Sequence, residues 1–489
     1  MRVRFRRWVA AISTAAMLAG CGGGGGGSTS TGGGGSGGGG GTPTPTACSL
    51  RDRQNWVLAQ MREWYLFPET LPASLDPTPY ASVQDYIDAL TATARSQGRD
   101  RYFTYITSIA EENAYYSSGS SAGFGVRLSY DTGARRVFIA EAFEGAPALA
   151  AGLDRGTEIL AIGTSSGSLQ TVNALMASGG ADAVVTALGP STAGTTRVLR
   201  VTDAGGTREV TVAKADYNLT PVSSRYGARI ITDGARQVGY VNLRTFIDTA
   251  DPALRTAFQQ FRTAGITDFV IDLRYNGGGL VSIAELMGDL MGANRTGSEV
   301  FDYMTFRPEK SSNNSVNYFA VQPQSVSPVR VAFIGTSATA SASELVINGF
   351  LPYLGTSMAL VGGNTYGKPV GQIALDRTAC DDRLRVIAFA VENRDHQSNY
   401  YNGLAGTVSR TCRAGDDLTR QLGDPAEAST RAALDFLAGN ACTAITADSG
   451  GGGLEPQGAR VQVTGPDAEL QPLMPRRPTT PQRELPGLF

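Results

Sequence analysis

The sequence predicts a multidomain α/β protein: a helical N-terminal lead-in, a small β-rich domain, and a larger core of alternating strands and helices. Three observations predict it. Residues 236 to about 395 alternate buried apolar runs with amphipathic stretches of helical period, residues 119–215 switch to short alternating runs rich in glycine, and residues 48–118 carry apolar side chains at helical spacing. At 489 residues the chain exceeds what one hydrophobic core organises. Its 42 basic and 44 acidic residues nearly cancel, and no basic run occurs beyond the first seven residues, so nucleic acid is excluded as a partner.

Residues 1–21 read as a secretory signal peptide. Arg2, Arg4, Arg6 and Arg7 precede an apolar stretch from Trp8 to Leu18 that is too short to span a bilayer. The stretch closes on Leu18-Ala19-Gly20-Cys21, which resembles the bacterial lipobox. That resemblance implies a lipid-modified Cys21 and, with Gly22 rather than Asp following, an outer-membrane lipoprotein facing the periplasm; an ordinary signal with a chance cysteine is the alternative. Residues 22–47 are a Gly/Ser-rich linker, a flexible tether rather than a fold. Cys48, Cys380, Cys412 and Cys442 are an even set in an exported chain, and therefore disulfide candidates. Of the three possible connectivities, the expected one joins Cys380 to Cys412 and Cys48 to Cys442, the second pair clasping the ends of the folded region. No C-x-x-C spacing supports a metal, and with His396 as the one histidine a His-rich zinc centre is excluded.

In the lead-in, residues 48–118, Val57, Met61, Trp64 and Tyr65 fall on one helical face before Pro68, and Val83, Tyr86, Ile87 and Leu90 on another. In the β-rich domain, residues 119–215, the run from Gly145 to Leu153 followed by Glu158-Ile159-Leu160-Ala161-Ile162 resembles a PDZ domain: short helix, glycine turn, strand. That resemblance makes Gly123-Phe124-Gly125-Val126 the peptide-binding loop, whose backbone N–H groups receive a ligand's terminal carboxylate while the peptide adds as a strand. In the core, residues 216–445, strands are expected at Val238–Leu243, Asp268–Leu273, Val329–Ile334 and Met358–Val361, with helices at Pro252–Ala264 and after Leu280. Such β-α-β units imply parallel pairing and active groups at strand-to-helix turns. Residues 446–489 are glycine- and proline-rich and read as a disordered tail, although its last residues, Pro486-Gly487-Leu488-Phe489, are of the apolar type a PDZ groove accepts.

Three segments carry the candidate chemistry. The strand ending at Ile334 leads into Ser341-Ala342-Ser343-Glu344, where S-x-x-E is first of all a helix-capping box, yet it also places a hydroxyl among N–H groups at the positive end of a helix. Thr365-Tyr366-Gly367-Lys368 brings one of three lysines in a chain whose other basic residues are arginine. A serine nucleophile needs a base, His396 sits in a polar loop, and a desolvated lysine can lose its proton where arginine cannot. Finally, Asn276-Gly277-Gly278-Gly279 lies between strand and helix and can aim N–H groups at an anion, without the Lys-Ser/Thr spacing of a nucleotide loop.

Together the three segments resemble the C-terminal (tail-specific) processing peptidases of serine peptidase family S41, from the lead-in to about Leu437. The resemblance implies a core of the crotonase/ClpP-like type, Ser341 as nucleophile, Lys368 as general base, Gln372 orienting the lysine, and the backbone N–H groups of Gly278 and Ala342 as the oxyanion hole. It further implies protein substrates with apolar C-termini and a reaction without metal or cofactor. Gly277 stands where the family usually has proline, the serine-to-lysine spacing is slightly long, and the Cys380–Cys412 region is particular to a subgroup. The rivals are a non-catalytic envelope scaffold that binds peptides, and an esterase built on His396.

Overall fold

The computed structural model describes residues 48–446 and 470–489. The expectations for the signal peptide, Cys21 and the 22–47 linker lie outside the described residues. The lead-in begins with the helix Leu50–Trp64, whose first turn is capped by Ser49 accepting from the Asp52 N–H at 3.2 Å. A second helix, Val83–Leu90, is capped in the same way by Ser82 and buries Val83, Tyr86, Ile87 and Leu90. These faces pack with Val57, Met61 and Tyr65 onto Leu384, Val386 and Ile387 of the strand Asp382–Glu392, and onto Ala340 and Tyr366. The lead-in is thus one wall of the segment that holds Ser341 and Lys368.

The core is a six-stranded sheet in the order Ala228–Asp233, Arg236–Asn242, Asp268–Asp272, Arg330–Gly335, Met358–Gly362, Thr411–Arg413. Its first pair is antiparallel and the remaining four pairings are parallel. Side chains alternate as strand geometry requires. Phe269, Ile271, Val331 and Phe333 face the helices Ala250–Thr263, Val281–Leu290 and Ala342–Leu354, whereas Val270, Ala332 and Ile334 face the helix Ala428–Leu437. Burial on both sides is why these strands read as continuous apolar runs. A second sheet, built on Asp382–Glu392, carries Tyr105–Ser108, Val300–Phe306 and Ser315–Tyr318, with Val370–Arg377 pairing alongside.

The β-rich domain is an antiparallel set, Val126–Asp131, Arg136–Ala142, Glu158–Gly163, Thr196–Asp203 and Gly206–Ala213, closed by the helix Val172–Leu188. At Gly125 the backbone has φ of 75°, and a Cβ there would come within 1.9 Å of Ala146 Cβ, so only glycine fits this turn.

Two expectations are corrected. The disulfides are Cys48–Cys380 and Cys412–Cys442. Because the first helix docks on the Asp382–Glu392 strand, Cys48 arrives beside Cys380, and Arg53 bonds Asp382 at 2.6 Å. Cys412 lies on the last parallel strand, to which the chain returns after the helix Ala428–Leu437, the Arg413 N–H donating to Thr443 O at 2.7 Å. The second correction concerns the tail. Residues 470–489 are folded: Gln471–Pro472 pairs with Tyr130 and Ser129, Thr480–Glu484 is a short helix, and Leu473, Met474, Leu485, Leu488 and Phe489 are buried. Proline and glycine rule out long elements but leave an edge segment with apolar anchors free to dock. The remainder of the tail, residues 447–469, lies outside the described residues.

Peptide mapping under non-reducing conditions is expected to recover Cys48 with Cys380 and Cys412 with Cys442. Substituting Cys48→Ser should cost about 2–4 kcal/mol of stability; recovery of a Cys48–Cys442 peptide would reject this topology.

Candidate active site

Ser341 stands between the strand Arg330–Gly335 and the helix Ala342–Leu354, with φ of 57° and ψ of −116°. A non-glycine residue in this region carries backbone strain of about 1–3 kcal/mol and persists only where its surroundings over-determine it. Here they do. The Ala340 N–H donates to Asn276 O at 3.0 Å, the Ser343 hydroxyl donates to the same oxygen at 3.0 Å, and the Ser341 N–H donates to Glu344 Oε2 at 3.0 Å.

Glu344 does more than cap the helix. Its fully buried carboxylate also accepts from the Thr365 hydroxyl at 2.6 Å and from the Gly367 and Lys368 N–H groups, each at 2.7 Å. One oxygen, Oε2, therefore holds both the Ser341 and the Lys368 backbones. Burial pushes this carboxyl above the usual range, while its four donors pull it back. The sequence gives Glu344 away only as the fourth residue of a capping box, a signal too common to reveal this role.

Lys368 Nζ donates to Gln372 Oε1 at 2.9 Å, and Gln372 Nε2 donates in turn to Phe103 O. The ammonium also lies 5.3 Å from the centre of the Phe103 ring. Desolvation draws the Lys368 amine below the ordinary lysine range, with the nearby Glu484 carboxyl opposing it. A cavity of ≈ 30 Å³ lined by Arg101, Phe103, Gly277, Lys368 and Glu484 adjoins it.

The glycine turn completes the arrangement. A Cβ on Gly278 would lie 2.8 Å from Ser341 Cβ and 3.2 Å from Ala342 N, so the absence of a side chain is what lets this turn approach the serine. In this state the Gly278 N–H donates to Asn276 Oδ1 at 2.9 Å, and the Gly277 N–H donates to Glu484 O at 2.9 Å. Glu344 thus draws the Ser341 and Lys368 backbones together, the glycine turn sets Gly278 against Ser341 and Ala342, and Gln372 holds the Lys368 amine, whose hydrogen bond goes to Gln372 Oε1 rather than to the Ser341 hydroxyl. His396 does not join them: its side chain is 64% exposed, its Nδ1 pairs with Glu392 at 2.7 Å, and its ring stacks on Tyr303.

On the β-rich domain, Gly123-Phe124-Gly125-Val126 lies against the chain's own residues 487–489. The Gly125 and Val126 N–H groups donate to Phe489 O at 2.9 and 3.2 Å, the Phe489 N–H donates to Val126 O at 2.9 Å, and the Leu128 N–H donates to Gly487 O at 2.7 Å. Arg127 runs from this strand to the glycine turn, bonding Pro486 O at 2.6 Å and Tyr275 O at 3.0 Å. Neither Glu484 nor Arg483 was foreseeable as a neighbour of Lys368, because the sequence shows no period or motif linking them.

Comparison with known proteins adds to this geometry. The model of Peptidase family S41 matches residues 237–407, and that of the Peptidase S41 N-terminal domain matches residues 52–105. The chloroplastic C-terminal processing peptidase of Tetradesmus obliquus is 30% identical over 276 residues, covering 53% of this chain and 54% of that protein. A carboxyl-terminal-processing protease of a Picosynechococcus species is 30% identical over 265 residues, covering 52% of this chain and 55% of that one. The chain thus spans about half the length of the curated relatives it matches. A solved S41 protease structure from Bacteroides fragilis shares the fold, with a TM-score of 0.61 at 24% identity over 78% of this chain and 97% of that one.

Replacing Glu344 by Ala strands four donors, of which the Thr365 hydroxyl and the Gly367 N–H are buried, at about 1–3 kcal/mol for each buried one. The variant is expected to lose at least about 3 kcal/mol by denaturant titration with an unchanged slope, Glu344→Gln less; wild-type stability in Glu344→Ala would show that the carboxylate does not hold the site.

Proposed function

Because the chain belongs to peptidase family S41, we propose that it is a serine endopeptidase cleaving protein substrates near their C-termini by acyl transfer. Ser341 is the nucleophile, Lys368 its general base and Gln372 the residue that orients the lysine. What supports the reading most is the Glu344 carboxylate: it binds the backbones of Ser341 and Lys368 with a single oxygen and so fixes the two segments together.

In the reaction, the neutral Lys368 amine takes the hydroxyl proton as Ser341 Oγ bonds the scissile carbonyl carbon. The carbonyl electron pair moves onto oxygen, where the Gly278 and Ala342 N–H groups form the oxyanion hole. Collapse of the tetrahedral adduct breaks the C–N bond, and the departing amine receives the proton from Lys368. Water, deprotonated by the same amine, then hydrolyses the acyl-serine ester. Forming the hole requires the Gly278 N–H to exchange Asn276 for the oxyanion. The chemistry needs neither metal nor nucleotide.

In this reading the β-rich domain serves as a PDZ-type module that captures apolar C-termini at Gly123–Val126. Cys21 carries the lipid, residues 22–47 tether the enzyme, and it works at the bacterial envelope, anchored in the outer membrane and facing the periplasm. Among the described residues no helix is long and apolar enough to cross a membrane.

Ser341→Ala and Lys368→Ala should each lower cleavage of an unstructured protein roughly 10³-fold or more, and Lys368→Arg should fail equally, since guanidinium keeps its proton. Because burial lowers the Lys368 pKa, the neutral base appears at lower pH than for free lysine, and kcat/KM should rise with pH through an apparent pKa below about 10.4. Cleavage that survives in Lys368→Ala, or a Ser341 that no fluorophosphonate labels, would refute the dyad.

A further inference from the structure

We propose that residues 470–489 are a built-in competitor of substrate: in cis they fill the peptide groove of the β-rich domain and lie across the catalytic cleft, so a substrate tail binds only by displacing them. This rests on the reading of groove and dyad given above.

The binding mode is that of a recognised peptide. Residues 487–489 add an antiparallel strand to Val126–Asp131, and the Phe489 ring joins the apolar cluster of Phe124, Leu128 and Val172. A Cβ at Gly123 would lie 2.7 Å from Phe489 C, so the loop is closed down on this occupant. Gln471–Pro472 covers the far end of the same strand edge, with the Leu473 N–H donating to Leu128 O at 2.9 Å. The edge that a substrate would use is therefore already paired.

The segment reaches the chemistry as well. Glu484 O takes the Gly277 N–H beside Gly278, and the Glu484 side chain, accepting from the Tyr116 hydroxyl at 3.1 Å, is the acidic group that most opposes desolvation of Lys368. A carboxylate near the amine favours the protonated lysine, which cannot act as a base. The segment is nonetheless presented as a ligand, not as a substrate. Residues 480–484 are helical, with the Arg483 N–H bonded to Thr479 O at 3.0 Å and the Leu485 N–H to Pro481 O at 2.8 Å, whereas a peptide under attack must be extended across the serine.

Its anchors lie on separate elements. Arg477 pairs with Asp85 and Asp88 of the lead-in, Arg476 with Asp182 of the β-rich domain's helix, and Arg483 Nη1 donates to Tyr102 O at 3.2 Å. Tethering gives such a ligand an effective concentration on the order of millimolar, which a free peptide of equal intrinsic affinity must exceed.

The test is titration of a fluorescein-labelled peptide with the sequence of residues 482–489 against the full chain carrying Ser341→Ala, against the same chain with Phe489→Asp, and against the chain lacking residues 470–489. Both altered chains are expected to bind at least about 10-fold more tightly than the parent. Equal affinity in all three overturns the proposal, and a parental affinity that weakens as protein concentration rises places the segment in a neighbouring copy, which overturns it too. Binding is read without catalysis. If the shift appears while no chain with Ser341 intact cleaves protein, the peptidase reading fails and the competitor stands; if cleavage is normal and the shift is absent, the reverse holds.

Discussion

Four donors converge on the Glu344 carboxylate, and the placing of the Ser341 and Lys368 segments against each other depends on it. Serine and lysine come from different strand-to-helix and strand-to-strand connections, so nothing in the chain's local geometry holds them together. A single buried acceptor, shared between the Ser341 and Lys368 N–H groups, supplies that restraint. Removing its partners would leave a buried charge unpaired, which makes the pairing costly to break and hence rigid. The positive φ of Ser341 is tolerated because this acceptor and Asn276 O leave the backbone little alternative.

Around that centre the three layers cooperate. The six-stranded sheet delivers the glycine turn and Ser341 from adjacent parallel strands, as expected where ligands bind beyond the carboxyl ends of such strands. The lead-in contributes Phe103, whose carbonyl fixes Gln372 and whose ring faces the lysine. The β-rich domain connects through Arg127, a fully buried guanidinium that touches the glycine turn at Tyr275 O.

The sheet was legible in the sequence because burial on both faces leaves continuous apolar runs, and the strands expected near residues 238, 268, 329 and 358 stand in those places. That Ser341, Lys368 and the glycine turn lie between elements was legible, because serine, lysine and paired glycines each have a chemical reason to stand at element ends; the roles assigned to them belong to the proposal. The disulfide pairing was not, since it follows from where the first helix docks, and sequence separation says nothing of that. The folding of residues 470–489 was missed for a related reason: composition weighs prolines and glycines, but a few apolar anchors with a ready-made edge to pair with decide the outcome. Glu344 was hidden by its own motif, because a cap and a clamp have the same four-residue spelling.

The Cys48–Cys380 bond also sets how the folded body takes a mechanical load. A pull applied at residue 48 travels through sulfur into Cys380 and on into the long strand Asp382–Glu392, which is hydrogen-bonded to three neighbours. The helix Leu50–Trp64 therefore does not carry that pull alone, because the sheet that begins beside Cys380 shares it.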